Sequence, residues 1–330
     1  MGVFTSIAED ELRAALVSFP VGALREVHGI PQGSVNTNCR VETAEGRFFL
    51  RVYEEQGLEG ARGEVALALA IAAAGVPAAR PVEPTARDAS TPGDAVFTLA
   101  GKPAALFSWC EGGMRCQASV TEDDTRAVGA ALARVHALSG AASPGVVLRP
   151  SRFGEAQLRE RVARIATAKE ASLSAQARPL TAALDTWVAA RDPSLPRGLI
   201  HSDLFRDNVL FGEGATVSAL LDFESASEGV FAYDLMVTVL AWCYGDHFDA
   251  HLAQALVRGY TATRPLTPAE IEGLHAEACF AALRFTVTRI TDYAMRPAGG
   301  HVAKDYRRFA RRREELEALG RRGWRKLLGL

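Results

Sequence analysis

Apolar residues recur at helical spacing near the start of the chain, at Leu12, Ala15, Leu16 and Phe19. Thr5 or Ser6 with Glu9 stands before them as a capping box, and Pro20 follows. This predicts an amphipathic helix laid over a small lobe. Partly alternating segments follow at residues 39–43 and 47–53 around Ala44-Glu45-Gly46, the pattern of a β-hairpin. A helix is expected over residues 58–74, stopped by Gly75 and Pro77. After a loop over residues 81–93, rich in Pro, Asp, Ser and Thr, residues 95–99 and 104–109 read as two more strands. Beyond Glu111-Gly112-Gly113 the period becomes helical, over residues 121–138, 156–167, 180–190, 232–244 and 277–291. Two short apolar strands, 209–211 and 217–221, interrupt it around Gly212-Glu213-Gly214. The pattern describes an α+β chain of two lobes. A small antiparallel β-sheet lobe occupies residues 1–106, a hinge residues 107–113, and a mainly helical lobe residues 114–330.

Composition narrows the partners. With 330 residues and 48% hydrophobic content the chain is long enough for two cores. A formal net charge of −2 gives no overall footprint for nucleic acid or a membrane surface, so the expected partner is a small molecule. The five cysteines have no paired C-x-x-C spacing, which argues against a zinc site or a disulfide framework. No apolar run approaches a membrane span, and a cytoplasmic protein is expected. The last thirty residues carry ten Lys or Arg against four Asp or Glu, read as the solvated face of a terminal helix.

The candidate chemistry is concentrated in His201-Ser202-Asp203-Leu204-Phe205-Arg206-Asp207-Asn208 and in Asp222, 14 residues after Asn208. A hydroxyl that attacks a nucleotide γ-phosphate needs a carboxylate to take its proton, and the third position of an H-x-D-x-x-x-x-N loop supplies one, here Asp203. The transferred phosphate needs Mg²⁺, a hard ion that prefers oxygen, and Asn208 and Asp222 offer an amide oxygen and a carboxylate in the right order. In the small lobe the turn over residues 33–38 places Ser34, Asn36 and Asn38 where small polar groups can cover phosphates. The next strand offers Arg51 where kinases carry a lysine for the α- and β-phosphates, and the following helix offers Glu64 to pair with it. His136 is read as a packing or capping residue, and Asp234 as a helix cap that braces the catalytic loop.

The generic part of this pattern, residues 201–208 with Leu221-Asp222-Phe223 and Tyr233-Asp234-Leu235, resembles aminoglycoside, choline and related small-molecule kinases. A more specific set runs the length of the chain: Val3-Phe4-Thr5, Glu11-Leu12, Gly29-Ile30, Asn36-Thr37-Asn38, residues 101–106, Ala241-Trp242-Cys243, residues 281–285 and Lys304-Asp305-Tyr306. With these the chain resembles homoserine kinases of the aminoglycoside-phosphotransferase-like type. The resemblance implies a protein-kinase-like fold, ATP held between the lobes, Asp203 as base, Mg²⁺ on Asn208 and Asp222, and phosphorylation of L-homoserine on the route to threonine. Homoserine is a zwitterion. Its candidate contacts are Arg284 or Arg289 for the carboxylate and Asp234 or Asp203 for the ammonium, with Trp242 from a shared motif. The alternatives are an aminoglycoside, which would want an acidic groove; choline or ethanolamine, which would want a cage from Trp242, Tyr244, Phe248 and Tyr260; and a nucleotide-binding pseudokinase.

Overall fold

A computed structural model describes residues 4–31, 35–85, 95–138, 148–296 and 304–330. The chain divides into two units, the first holding, among described residues, 4–112 with Ser218–Glu224, and the second most of the remainder.

In the first unit the elements are α1 (Glu9–Leu16), β1 (Leu24–Gly29), β2 (Thr37–Thr43), β3 (Gly46–Val52), α2 (Leu58–Ala73), β4 (Val96–Leu99) and β5 (Lys102–Ser108). The strands form one five-stranded sheet in the order β1-β2-β3-β5-β4, with every neighbouring pair antiparallel. Alternation along β3 and β5 sends consecutive side chains to opposite faces. Leu50, Val52, Ala104 and Leu106 join Leu12 and Leu16 of α1 in one core cluster. Phe49, Ala105 and Phe107 join Ala61 and Val65 of α2 in another. The sheet is thus covered by a helix on each face. β4 and β5 are joined by Ala100-Gly101, both at positive φ (49° and 73°), the backbone of a two-residue hairpin turn. That tight turn explains why β5 begins at Lys102, before the expected residue 104.

Two details depart from the sequence pattern. The expected capping box is not formed. Ala8 is the N-cap of α1 and makes no side-chain bond, while the Thr5 hydroxyl donates to Glu54 Oε1 (2.7 Å). β1 was not anticipated, because Leu-Arg-Glu-Val-His-Gly is an edge strand with one fully buried residue and carries little apolar alternation.

The remaining elements are α3 (Glu122–Ala137), α4 (Glu155–Ala166), α5 (Ala171–Ser174), α6 (Ala177–Ala190), β6 (Arg197–Ile200), β7 (Val209–Phe211), β8 (Val217–Leu220), β9 (Ser227–Val230), α7 (Phe231–Trp242), α8 (Ala250–Thr263), α9 (Pro268–Arg289) and α10 (Arg307–Leu327). All but β8 lie in the second unit; β8 falls largely in the segment that packs with the first, where the Leu220 N–H donates to the Pro77 carbonyl (2.7 Å). α9 starts well before the expected residue 277, because Thr267 and Glu270 form a full capping box with Pro268 in the first turn. α7, buried along its whole length, runs through the core of this unit. Among the described residues no helix is long and apolar enough to cross a membrane.

α3 packs tightly against α8, where glycine meets backbone from both sides. A Cβ on Gly129 would lie 2.1 Å from the Leu256 carbonyl oxygen, and one on Gly259 would lie 2.0 Å from that of Arg126. The contact brings His136 at the end of α3 against Tyr260 of α8, with 2.7 Å between His136 Nδ1 and the hydroxyl. We therefore expect Gly129→Ala to force these helices apart and cost about 1–3 kcal/mol, although alanine is the better helix former. Thermal unfolding measures this, and a variant as stable as the parent would contradict the packing.

Candidate active site

The second unit builds its site on a loop that has no regular hydrogen-bonding ladder of its own. β6 delivers the chain to His201, and the next residue, Ser202, sits at φ 68°, a left-handed conformation costly for a side chain. Asp234, in the first turn of α7, holds it there. Its carboxylate accepts the His201 N–H at Oδ2 and the Ser202 N–H at Oδ1, each at 2.7 Å. Trp242 adds a bond from Nε1 to the Leu204 carbonyl (3.0 Å), and Arg206 Nη1 donates to the Ala241 carbonyl (2.7 Å). The bend lifts Asp203 out of the loop with its side chain about a third exposed (31%). Asn208 closes the following 3₁₀ turn. Its Nδ2 donates to the Asp203 carbonyl (2.8 Å), which turns Oδ1 away from that bond and available to a hard cation.

Asp234 is fully buried, and its charge survives because donors surround it. Burial alone would raise its pKa; the His136 bond and the backbone N–H of His201 outweigh that and hold it below the ordinary value. His136, equally buried, is pushed below the usual imidazole value, chiefly by burial. Its protonation is then fixed by its partners. Nε2 lies 3.0 Å from Asp234 Oδ2, an acceptor only, so Nε2 carries the proton and Nδ1 accepts from the Tyr260 hydroxyl. Tyr260 in turn accepts from Arg264 Nη1 (3.1 Å), which also pairs with Glu270 at 2.8 Å. His136 was expected to be a packing or capping residue, and its place in this chain of bonds has no local sequence signal.

Arg284 approaches from α9, with Nη1 3.3 Å from Asp203 Oδ1 and the side chain only 3% exposed. Its guanidinium carbon lies 3.7 Å from the Phe153 ring centroid and 3.8 Å from that of Phe285. The pairing engages one carboxylate oxygen of Asp203 and leaves Oδ2 for a hydroxyl. Arg289, a turn further on, donates to the Asp305 carbonyl (3.0 Å).

Two of the acceptor candidates are corrected. Asp234 is spent on His201, Ser202 and His136 and is wholly buried, so it offers nothing to a substrate ammonium. Trp242 is likewise unexposed. The aromatic cage fails for the same reason: Tyr244 and Tyr260 are buried, and Phe248 stacks between Tyr244 and Trp324 at 5.1 and 4.9 Å.

The first unit holds a second constellation. Asn38 and Arg51 face each other across β2 and β3, and Arg51 Nε donates to Asn38 Oδ1 (3.3 Å). Arg51 Nη1 reaches Glu64 Oε1 on α2 (2.6 Å) and Glu224 Oε1 (3.2 Å). Burial would lower the Arg51 pKa, yet Glu64, Glu224, Tyr53 and Asp222 raise it above its ordinary value. Glu224 was missed by sequence reasoning, although it stands two residues after Asp222. Asp222 is exposed at φ 60°, a left-handed conformation for a residue with a Cβ.

Asn36 and Asn38 do not present their side chains to a ligand as expected. Both are buried, and buried amides must be satisfied from within. Asn36 accepts the Glu54 N–H (3.2 Å) and donates to Glu224 (2.8 Å), while Asn38 serves Arg51. Ser34 lies outside the described residues.

The sequence pattern of the Phosphotransferase enzyme family matches residues 26–268. A homoserine kinase of Gluconacetobacter diazotrophicus is 35% identical over 92% of this chain and 92% of its own length. One from Caulobacter sp. is 34% identical over 97% of this chain and 99% of its own. Among solved structures an amicoumacin kinase in complex with AMP-PNP and Ca²⁺ superposes with a TM-score of 0.68 at 16% identity, covering 94% of this chain and 93% of that one, a likeness of fold.

The buried imidazole makes stability depend on pH. An unfolded histidine titrates near 6.5, and His136 in the fold titrates lower, so unfolding takes up a proton below that pH. Its contribution is complete above about pH 6.5 and is lost as pH falls through the folded value. We expect the urea midpoint to decline from pH 7 to pH 5 and His136→Gln to flatten that decline. Equal slopes in both proteins would contradict it.

Proposed function

This chain belongs to the phosphotransferase enzyme family, and we propose that it transfers the γ-phosphoryl group of ATP to the side-chain hydroxyl of L-homoserine, giving O-phospho-L-homoserine for threonine synthesis. The acceptor rests on the likeness to homoserine kinases over nearly the whole chain. The chemistry rests on one observation, the partly exposed Asp203 carboxylate on a loop pinned by Asp234. ATP is supplied in the cytoplasm, where the enzyme is placed on this reading.

Asp203 Oδ2 accepts the proton of the attacking hydroxyl, and Arg284 at Oδ1 fixes the rotamer that makes this possible. Arg284 also sets a positive charge beside the point where the phosphoryl group arrives, the task of cationic groups in phosphoryl transfer. Arg51 holds the α- and β-phosphates, its orientation set by Glu64, Glu224 and Asn38.

Mg²⁺ suits the donors present. Among described residues no group of three or more His, Cys, Asp or Glu forms a cage, which fits an ion that relies on one or two protein oxygens and on the substrate phosphates. Asn208 Oδ1 and the Asp222 carboxylate would be its protein ligands, and the surplus of carboxylates around Arg51 favours a cation near Asp222. Bound there, the ion would neutralise phosphate charge. Choline loses support because its aromatic cage is buried core.

ADP release with Mg-ATP over a panel of L-homoserine, L-threonine, choline and an aminoglycoside tests the reading. Turnover with L-homoserine is expected to exceed the others, and its absence would sink the assignment. Asp203→Ala should lower kcat by roughly 10²–10⁴ while ATP still binds. A folded variant with near-normal turnover would remove Asp203 from the role of base. Arg51→Ala should raise the KM for ATP and lower kcat with the KM for homoserine little changed, and Arg51→Lys should recover part of the loss. ATP kinetics identical to the parent would show that Arg51 only braces the sheet.

A further inference from the structure

Three arginines crowd the junction of α9 and α10. The guanidinium carbons of Arg289 and Arg312 each lie 4.4 Å from the centroid of the buried Phe309 ring, and Arg308 adjoins it in sequence. Among the described residues none of the three has a carboxylate within ion-pair distance. Arg289 Nη1 donates to the Asp305 carbonyl (3.0 Å) and Arg312 Nη1 to the Leu240 carbonyl (2.6 Å), which leaves most of their donors uncommitted. Burial, with Arg308 next, pulls the Arg289 pKa down to about 10; burial, with Arg289 next, pulls Arg312 down to about 9. One anion would relieve the repulsion among all three.

The cluster is open to a solute on the side of Arg308 and Arg312. Arg308 and Arg312 line a small cavity of about 40 Å³ that Tyr244, Asp246 and Glu315 also line, so a carboxylate with a neighbouring ammonium meets both countercharges. Arg289 also feels the charges of Asp203 and Arg284. Arg284 and Arg289 are five residues apart on α9, about 7.5 Å along its axis. In homoserine the carboxylate is separated from the hydroxyl carbon by three carbon–carbon bonds of about 1.5 Å each, and an arginine side chain spans the rest.

We propose that Arg289 and Arg308, backed by Arg312, form the site for the carboxylate of the acceptor, and that this cluster selects an α-amino acid over an amino alcohol. The inference rests on the kinase reading of Asp203 and adds the determinant of acceptor class. A bland role is available to Arg312, whose bond to Leu240 caps the end of α7, so the test falls on the other two.

The experiment compares L-homoserine with 3-amino-1-propanol, the same molecule without its carboxylate, on the full chain. The parent should favour homoserine strongly in kcat/KM. Arg308→Gln, an exposed position that folding should tolerate, is expected to raise the KM for homoserine roughly ten- to a hundredfold with kcat and the KM for ATP little changed. The amino alcohol should be affected far less. Arg289→Gln should do the same, and Arg289→Lys should restore part of the selectivity. An unchanged homoserine KM in folded Arg308→Gln and Arg289→Gln, or an equal loss for both acceptors, overturns the site. If the parent phosphorylates neither acceptor, the kinase reading fails by itself and calorimetry with L-homoserine decides the site. Binding weakened by Arg308→Gln keeps it, and binding that is absent or insensitive to the substitution overturns it.

Discussion

A single buried carboxylate organises the catalytic unit. Asp234 receives two backbone N–H groups from His201 and Ser202, and these bonds hold Ser202 in the left-handed conformation that presents Asp203. An isolated charge at zero exposure would cost several kcal/mol. The polar chain behind it removes that difficulty, since each member donates to the next: Arg264 to Tyr260, Tyr260 to His136, His136 to Asp234. The members come from α3, α7 and α8, and Glu270 of the α9 capping box anchors the far end. The glycine contact between α3 and α8 has its purpose here, because a wider spacing would break the His136–Tyr260 bond.

The two units reach order by different means. In the first, alternation in β3 and β5 builds separate apolar clusters on the two faces of one sheet, and the polar residues gather at one end around Arg51 and Glu54. Glu54 accepts from Thr5, Thr37 and Lys102 together, which fastens the N-terminal segment to the sheet. In the second, the helices pack around an apolar α7, and polar bonds enter the core wherever a loop must be held.

Legibility in the sequence followed locality. The loop that carries Asp203 and Asn208 stood out because the H-x-D-x-x-x-x-N pattern is packed into eight residues, and α2 and the β2–β3 hairpin could be read because their periodicity is contiguous. The Arg284–Asp203 pair spans 81 positions and the Asn36–Glu224 bond 188, so no spacing announces either. Asn36 and Asn38 were misjudged because a small polar residue beside a turn looks alike whether it faces a ligand or bonds inward. Thr5 is the same case, since a residue placed to cap a helix found a better acceptor in Glu54.

The use of arginine rather than lysine on β3 has a consequence that follows from counting donors. A lysine ammonium has three N–H bonds, and the three protein acceptors around this position, Asn38, Glu64 and Glu224, would consume them all. Arginine has five. Its Nε serves Asn38 and its Nη1 serves the two glutamates, so Nη2 keeps both hydrogens in a plane already fixed by the other contacts. The second glutamate is therefore tolerable only because the cation is a guanidinium. Arg51 and Glu224 form one chemical choice made at two distant places in the chain, and a lysine in place of Arg51 would recover the full phosphate contact only if Glu224 changed with it.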